Sequence, residues 1–391
     1  MRAANPAGRS LAIDAFRALT VLLMITVNEW SGVAGLPVWM KHYPADADAM
    51  SFVDMVFPAF LFIVGMSIPL ALGQREAAGE PPGQILRHVL MRSLGLLVLG
   101  VFMVNAESGF AAQAMPLPIA AWALLAYACA FLVWGSLRGG PPLAWPWRLL
   151  GVLGLLALAL VYRGGESGQL GLRPQWWGIL GLIGWAYLLA CLVHLLCRAH
   201  PARLLLALGL GLLYALAARH PGLNQQPGLA LLLGAGGHVV HALIVVCGML
   251  CAALSRGPSR QVWGQALALA TGLALLAALL RPLHGISKIY ATPSWALFSA
   301  AACVLIHALL QELIDRRGLR GWTRWLQPAA AHPLLAYLLP FVIAALLQLL
   351  QLSMPAVLRS TVPGLLWGPF YALLMLALVR GLSAAGLRLR L

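Results

Sequence analysis

The stretch FVDMVFPAFLFIVGMSIPLAL, residues 52–72, carries a single ionisable side chain in 21 positions. Wound as a helix it is about 30 Å long, the thickness of a bilayer's hydrocarbon core. Runs of this kind recur along the chain, at about 11–30, 53–73, 87–104, 117–136, 147–162, 176–197, 203–218, 234–254, 262–281, 293–314, 330–352 and 363–383. Lipid offers no partner for backbone N–H and C=O groups, so each run must satisfy its own, as a helix does. Two of the twelve, 147–162 and 203–218, are short. The expectation is an all-α polytopic membrane protein, a bundle of about 10–12 transmembrane helices.

Composition agrees with that solvent. Hydrophobic residues make up 61% of the chain, charged residues only 9%, and the mean hydropathy is +0.87; a soluble domain carries about 25% charge. The opening MRAANPAGRSLAIDAFRALTVLL lacks the short apolar core and small-residue cleavage site of a secretory signal, and reads as a retained first span. No connection exceeds about 22 residues, which predicts one transmembrane domain over 1–391 without a sizeable soluble part.

Basic residues in the connections give a sidedness, because positive charge stays on the cytoplasmic face. With twelve spans and a cytoplasmic N-terminus, 18 of the 26 Lys and Arg fall inside, among them Arg75, Arg87, Arg92, Arg198, Arg203, Arg316, Arg317, Arg320 and Arg324. Seven fall outside: Lys41, Arg163, Arg173, Arg219, Arg281, Lys288 and Arg359. Arg17 lies within the first span. The net charge of +15 is thus spread over short loops and implies no nucleic acid partner. The six cysteines all sit in apolar helical stretches without CxxC or metal-ligand spacing, so neither a disulfide framework nor a metal site is expected.

Chemistry must come from polar groups at membrane depth or in the outer loops, since an ionisable group at mid-bilayer costs at least ~2.5–3.5 kcal/mol. They concentrate in the first two spans and the loop between them: Asp14, Arg17, Asn28, Glu29, Lys41, His42, Asp46, Asp48 and Asp54. Asp14 and Arg17 are three apart and can pair on one helix face. They are either an interfacial ion pair with a snorkelling arginine or an anion clamp, guanidinium being suited to phosphate. A carboxylate from Asp46, Asp48 or Asp54 could hold one nitrogen of His42 and aim the other at a proton to be removed. Asn28, at the same depth, could donate to a developing oxyanion. Asp46 and Asp48 also suit a solvated turn or a loose cation site, and Asp54 opens an apolar helix where its charge opposes the dipole.

The run SLAIDAFRALTVLLMITVNEW, a loop histidine, and then FVDMVFPAFLFIVGMSIPLAL closely resemble the heparan-α-glucosaminide N-acetyltransferase family and its bacterial relatives. So do KIYATPSWALFSAAACVLIHALL (288–310) and HPLLAYLLP (332–340), whereas 105–280 contributes only hydropathy. Ala18, YPADADAM after His42, and His332 depart from the family pattern. The resemblance implies a transmembrane acyltransferase that takes acetyl-CoA from the cytosol and acetylates an amino sugar or cell-envelope glycan across the membrane. It places the active-site histidine, asparagine and aspartate on His42, Asn28 and Asp54. Acetyl-CoA would be held by Asp14, Arg17, Lys288, Ser294 and Trp295, with Asp46 and Asp48 on the acceptor side. The acetyl group could pass directly or through an acetyl-histidine. The implied setting is a bacterial inner membrane, lipid around the bundle, both termini cytoplasmic, and a homodimer as the assembly to test. A proton-coupled transporter is the alternative, with the His/Asp cluster as its coupling site.

Overall fold

A computed structural model of the chain describes residues 10–137, 143–198, 200–255, 257–389 and 391. Arg2, Arg9, Arg138, Arg256 and Arg390, all counted above as cytoplasmic, lie outside the described residues, as does the N-terminus itself. The fold is all-helical. Its helices are α1 (Leu11–Trp30), α2 (Val56–Ala77, entered through a 3₁₀ turn at Val53–Met55), α3 (Pro82–Glu107), α4 (Ile119–Trp134), α5 (Trp145–Val161), α6 (Gly178–Cys197), α7 (Pro201–Ala217), α8 (Pro221–Asn224), α9 (Pro227–Leu233) and α10 (Gly236–Leu254). They continue with α11 (Ser259–His284), α12 (Pro293–Leu310, prolonged by a π-turn at Gln311–Arg316), α13 (Thr323–Ala331), α14 (Pro333–Leu349) and α15 (Thr361–Ala384).

Each of the twelve apolar runs is occupied by a helix. Among the described residues eight are long and apolar enough to cross a membrane, or nine if the bent pair α13 and α14 counts as one span. Three further apolar helices, α4, α5 and α7, have 16, 17 and 17 residues, about 24–26 Å of helix. The break in the bent pair falls at His332, whose φ of −131° and ψ of 57° leave the helical region. Pro333 follows it, and the residue before a proline is driven from the α region.

The chain forms two compact units, each drawn from several parts of the sequence. The first comprises the described residues of Met1–Thr20, Leu36–Leu90 and Trp185–Gln327. Here α10 packs against α2, α7 and α12, and α11 against α12. Glycines let α2 and α10 approach backbone to backbone: a Cβ at Gly65 would meet the Val245 carbonyl, and one at Gly248 the Phe62 carbonyl. Small residues at such crossings are how membrane helices gain dispersion contact without a hydrophobic driving force.

The second unit comprises Val21–Gly35, Met91–Gly184 and Pro328–Leu391. Its core centres on the fully buried Trp122, stacked on Phe102 at 5.3 Å and donating from its indole nitrogen to the Leu158 carbonyl at 2.9 Å. A two-residue antiparallel pairing, β1 (Gly135–Ser136) with β2 (Arg388–Leu389), completes it.

Candidate active site

The start of α2 carries the sequence Ser51-Phe52-Val53-Asp54, a serine three residues ahead of a carboxylate. Both side chains bond the main chain of this turn: Ser51 Oγ accepts the Val53 N–H at 3.1 Å, and Asp54 Oδ2 accepts the Ser51 N–H at 3.0 Å. Asp54 Oδ2 also takes Ser51 Oγ at 3.3 Å and the Tyr43 N–H at 3.4 Å. One oxygen is therefore occupied by the turn that begins the helix. The other, Oδ1, lies 2.7 Å from His42 Nδ1.

This division of labour fixes the imidazole. A buried carboxylate at Nδ1 favours the tautomer with its proton there, which leaves Nε2 as the basic nitrogen. The Asp54 side chain is only 3% exposed while that of His42 is 42% exposed, so the orienting group is shielded and the base is open to an incoming molecule. Asp54 is tied from behind as well, its main-chain carbonyl accepting Trp295 Nε1 at 3.1 Å. Trp295 is fully buried and meets His241 of α10 edge-on.

The loop that carries His42 is fastened to the loop joining α11 and α12. Asp48 accepts Arg281 Nε at 2.9 Å and the Ile286 N–H at 2.8 Å, and its carbonyl takes Arg281 Nη2 at 3.3 Å. Ser287 Oγ donates to the Ala45 carbonyl at 2.7 Å, and Tyr290 Oη to Asp46 Oδ1 at 2.9 Å. The bond to Asp46 and its charge push the Tyr290 hydroxyl above its usual pKa. Gly285, at φ +65° and ψ −169°, takes a conformation that only glycine adopts readily, and turns its carbonyl to the Ser294 hydroxyl. Arg219 donates to the Tyr290 and Ala291 carbonyls. Lys288 projects from this braced loop, its Nζ 3.1 Å from His42 Nε2 and 3.3 Å from Nδ1. Burial pushes its pKa down to about 8, against the opposing pull of Asp54.

Of the residues singled out from sequence, the structure thus brings His42, Asp46, Asp48, Asp54, Lys288, Ser294 and Trp295 together in the first unit. Asp46 and Asp48 bond the facing loop. Ser294 and Trp295 are fully buried and bonded to main-chain carbonyls. Asp14 and Arg17 form a separate pair at 3.0 Å, and Arg17 Nη2 reaches Ser67 Oγ on α2 at 2.7 Å. Ser67 is thirteen residues beyond Asp54, roughly 20 Å along the helix. Asn28 belongs to the second unit, with an exposed side chain in the last turn of α1; its neighbour Glu29 accepts Trp367 Nε1 there at 3.1 Å.

Residues 9–162 match the family described as "Domain of unknown function (DUF5009)". The heparan-alpha-glucosaminide N-acetyltransferases of Mus musculus and Homo sapiens are 34% identical to the chain over 102 residues and 33% over 98. The chain is a distant, partial relative of these enzymes. The matched stretches cover 26% and 25% of this chain, and the chain spans about 15% of the length of the curated relatives it matches. No group of three His, Cys, Asp or Glu suited to a metal ion occurs among the described residues.

Sequence reading missed Ser51, Arg281, Arg219 and Tyr290. Ser51 had a local signal, the S-x-x-D spacing ahead of an apolar run. The other three are distant in sequence from the loop they brace and had none.

Proposed function

We propose that this protein is an acyltransferase of the membrane, moving an acetyl group from acetyl-CoA to the amine or hydroxyl of an amino sugar or cell-envelope glycan. The observation that carries the reading is the pairing of a buried Asp54 with an open His42 at 2.7 Å, taken with the partial similarity to two N-acetyltransferases. His42 Nε2 accepts the acceptor's proton as the acceptor nitrogen or oxygen bonds to the thioester carbonyl carbon. Collapse of the tetrahedral intermediate breaks the C–S bond, and the histidine returns the proton to the departing CoA sulfur.

The donor's phosphates are charged and do not cross lipid unaided, so the Asp14 and Arg17 end of α1 is the proposed entry for CoA. Its separation from Asp54 along α2 leaves room for an extended pantetheine arm. Transfer across the bilayer of a bacterial inner membrane follows if those two ends face opposite sides.

Purified protein supplied with radiolabelled acetyl-CoA and a panel of amino sugars and envelope glycans tests the reading. Acceptor-dependent appearance of free CoA thiol and labelled product is expected. A preparation that transports a substrate yet leaves the thioester untouched would replace this reading with the proton-coupled transporter.

A further inference from the structure

Lys288 sits against His42 in an unusual way. An atom at 3.1 Å from Nε2 and 3.3 Å from Nδ1 cannot lie along the lone pair of either nitrogen, because the two point away from each other in the ring plane. The ammonium therefore rests over the ring, and the in-plane approach to Nε2 stays open for an acceptor. Its loop is held by bonds at several points: the Ala291 N–H to the Lys288 carbonyl at 3.1 Å, the Thr292 N–H to the Ser287 carbonyl at 3.0 Å, and the Ser287, Arg219 and Asp48 bonds given above. Ala291 is held at φ +49°, a conformation non-glycine residues adopt only when their surroundings impose it.

The charges around the pair decide what such an ammonium does. From segment 41–54 they are Lys41, Tyr43, Asp46, Asp48 and Asp54; from the end of α11, Arg281 and His284; from the next loop, Tyr290; from two residues past α7's end, Arg219; and from α10, His238 and His241. Asp48 is engaged by Arg281, Asp46 by Tyr290, and Arg219 by backbone carbonyls. Among the described residues, Asp54 and Lys288 are the charged groups in hydrogen-bonding distance of the imidazole. A carboxylate alone at Nδ1 favours imidazolium, which cannot accept a proton; an adjacent ammonium favours the neutral ring.

We infer that Lys288 is a positioning residue for His42, its charge over the ring holding the imidazole in the neutral form that can act as a base while Asp54 fixes the tautomer. This rests on the reading of His42 as the general base. It assigns Lys288 to the base rather than to the cofactor's phosphates. Burial away from bulk water is what depresses the Lys288 pKa to about 8.

Diethyl pyrocarbonate acylates neutral imidazole and not imidazolium, so the pH dependence of its reaction with His42 reports the ring's protonation without any turnover. The full chain, purified in detergent, is treated between about pH 5 and 9, and the His42 peptide is quantified by mass spectrometry. In Lys288→Gln the midpoint should move up by about one pH unit, as expected for losing a unit charge at this distance in a partly solvated site. Lys288→Arg should keep the wild-type midpoint, and Lys288→Met replaces Lys288→Gln if the latter does not fold. Coincident midpoints in wild type and the neutral variant would overturn the inference. So would an equal displacement in Lys288→Arg, which would mark loop geometry rather than charge. Failure of the wild type to consume acetyl-CoA is a separate result, and would remove the acyltransferase reading while leaving this measurement intact.

Discussion

At the scale of single residues the site is a matter of which atoms are already engaged. Asp54 uses one oxygen to begin α2 and the other to hold His42 Nδ1, so the imidazole presents Nε2. His42→Ala should abolish acetyl transfer while acetyl-CoA binding survives, because the ring acts at the acetyl end of the donor; a positioned base contributes about 10²–10⁴-fold. Turnover within a few-fold of wild type, measured by thiol release, would remove His42 from the chemistry. Arg17 makes a contrasting case. Its guanidinium rests on Asp14 and Ser67, and a clamp on phosphate stabilises ground and transition states alike. Arg17→Ala should therefore raise the KM for acetyl-CoA with little change in kcat at saturation, and an unchanged KM would return Arg17 to a structural ion pair.

At the scale of elements, the crossing of α2 and α10 decides whether the dyad has a firm base. Trp295 of α12 bonds the Asp54 carbonyl and meets His241 of α10, so α2, α10 and α12 converge behind the site. A methyl group at Gly248 would be driven into the Phe62 carbonyl, and separating two backbones to admit it costs about 1–3 kcal/mol. Gly248→Ala should lower the apparent melting temperature in detergent by several degrees. Gly73→Ala on α2, where nothing lies within 4 Å, is the control and should be neutral or slightly stabilising, since alanine is the better helix former. Equal behaviour of the two variants would mean that the α2 and α10 backbones are not in contact.

For the whole molecule the open variable is sidedness. In the first unit Pro293–Arg316 is a single 24-residue span, about 36 Å long. The loop bonded to the His42 segment precedes it, and Arg316, Arg317, Arg320 and Arg324 lie at or beyond its far end. Positive charge marks that far end as cytoplasmic, which puts His42 on the opposite face. In a cysteine-free background, Ala47→Cys should react with a membrane-impermeant thiol reagent in intact cells, and Gly321→Cys only after lysis. The reverse pattern would invert the topology and end the case for acetylation across the bilayer.

The sequence by itself determined the solvent, the all-helical class and the position of every long helix, because lipid leaves the backbone one solution and apolar runs declare where it applies. It also determined that His42 and Asp54 share an end of α2, being twelve residues apart across one short loop. What hydropathy assigns, however, is depth along a helix, and it is blind to which helix lies beside which. Lys288 is 246 positions from His42 and Arg281 is 233 from Asp48. Only the tertiary structure could decide that Lys288 rests on the imidazole and that Asp48 and Asp46 brace a loop. Those contacts arise from the packing of α2, α10, α11 and α12 against one another, and no local periodicity carries a record of it.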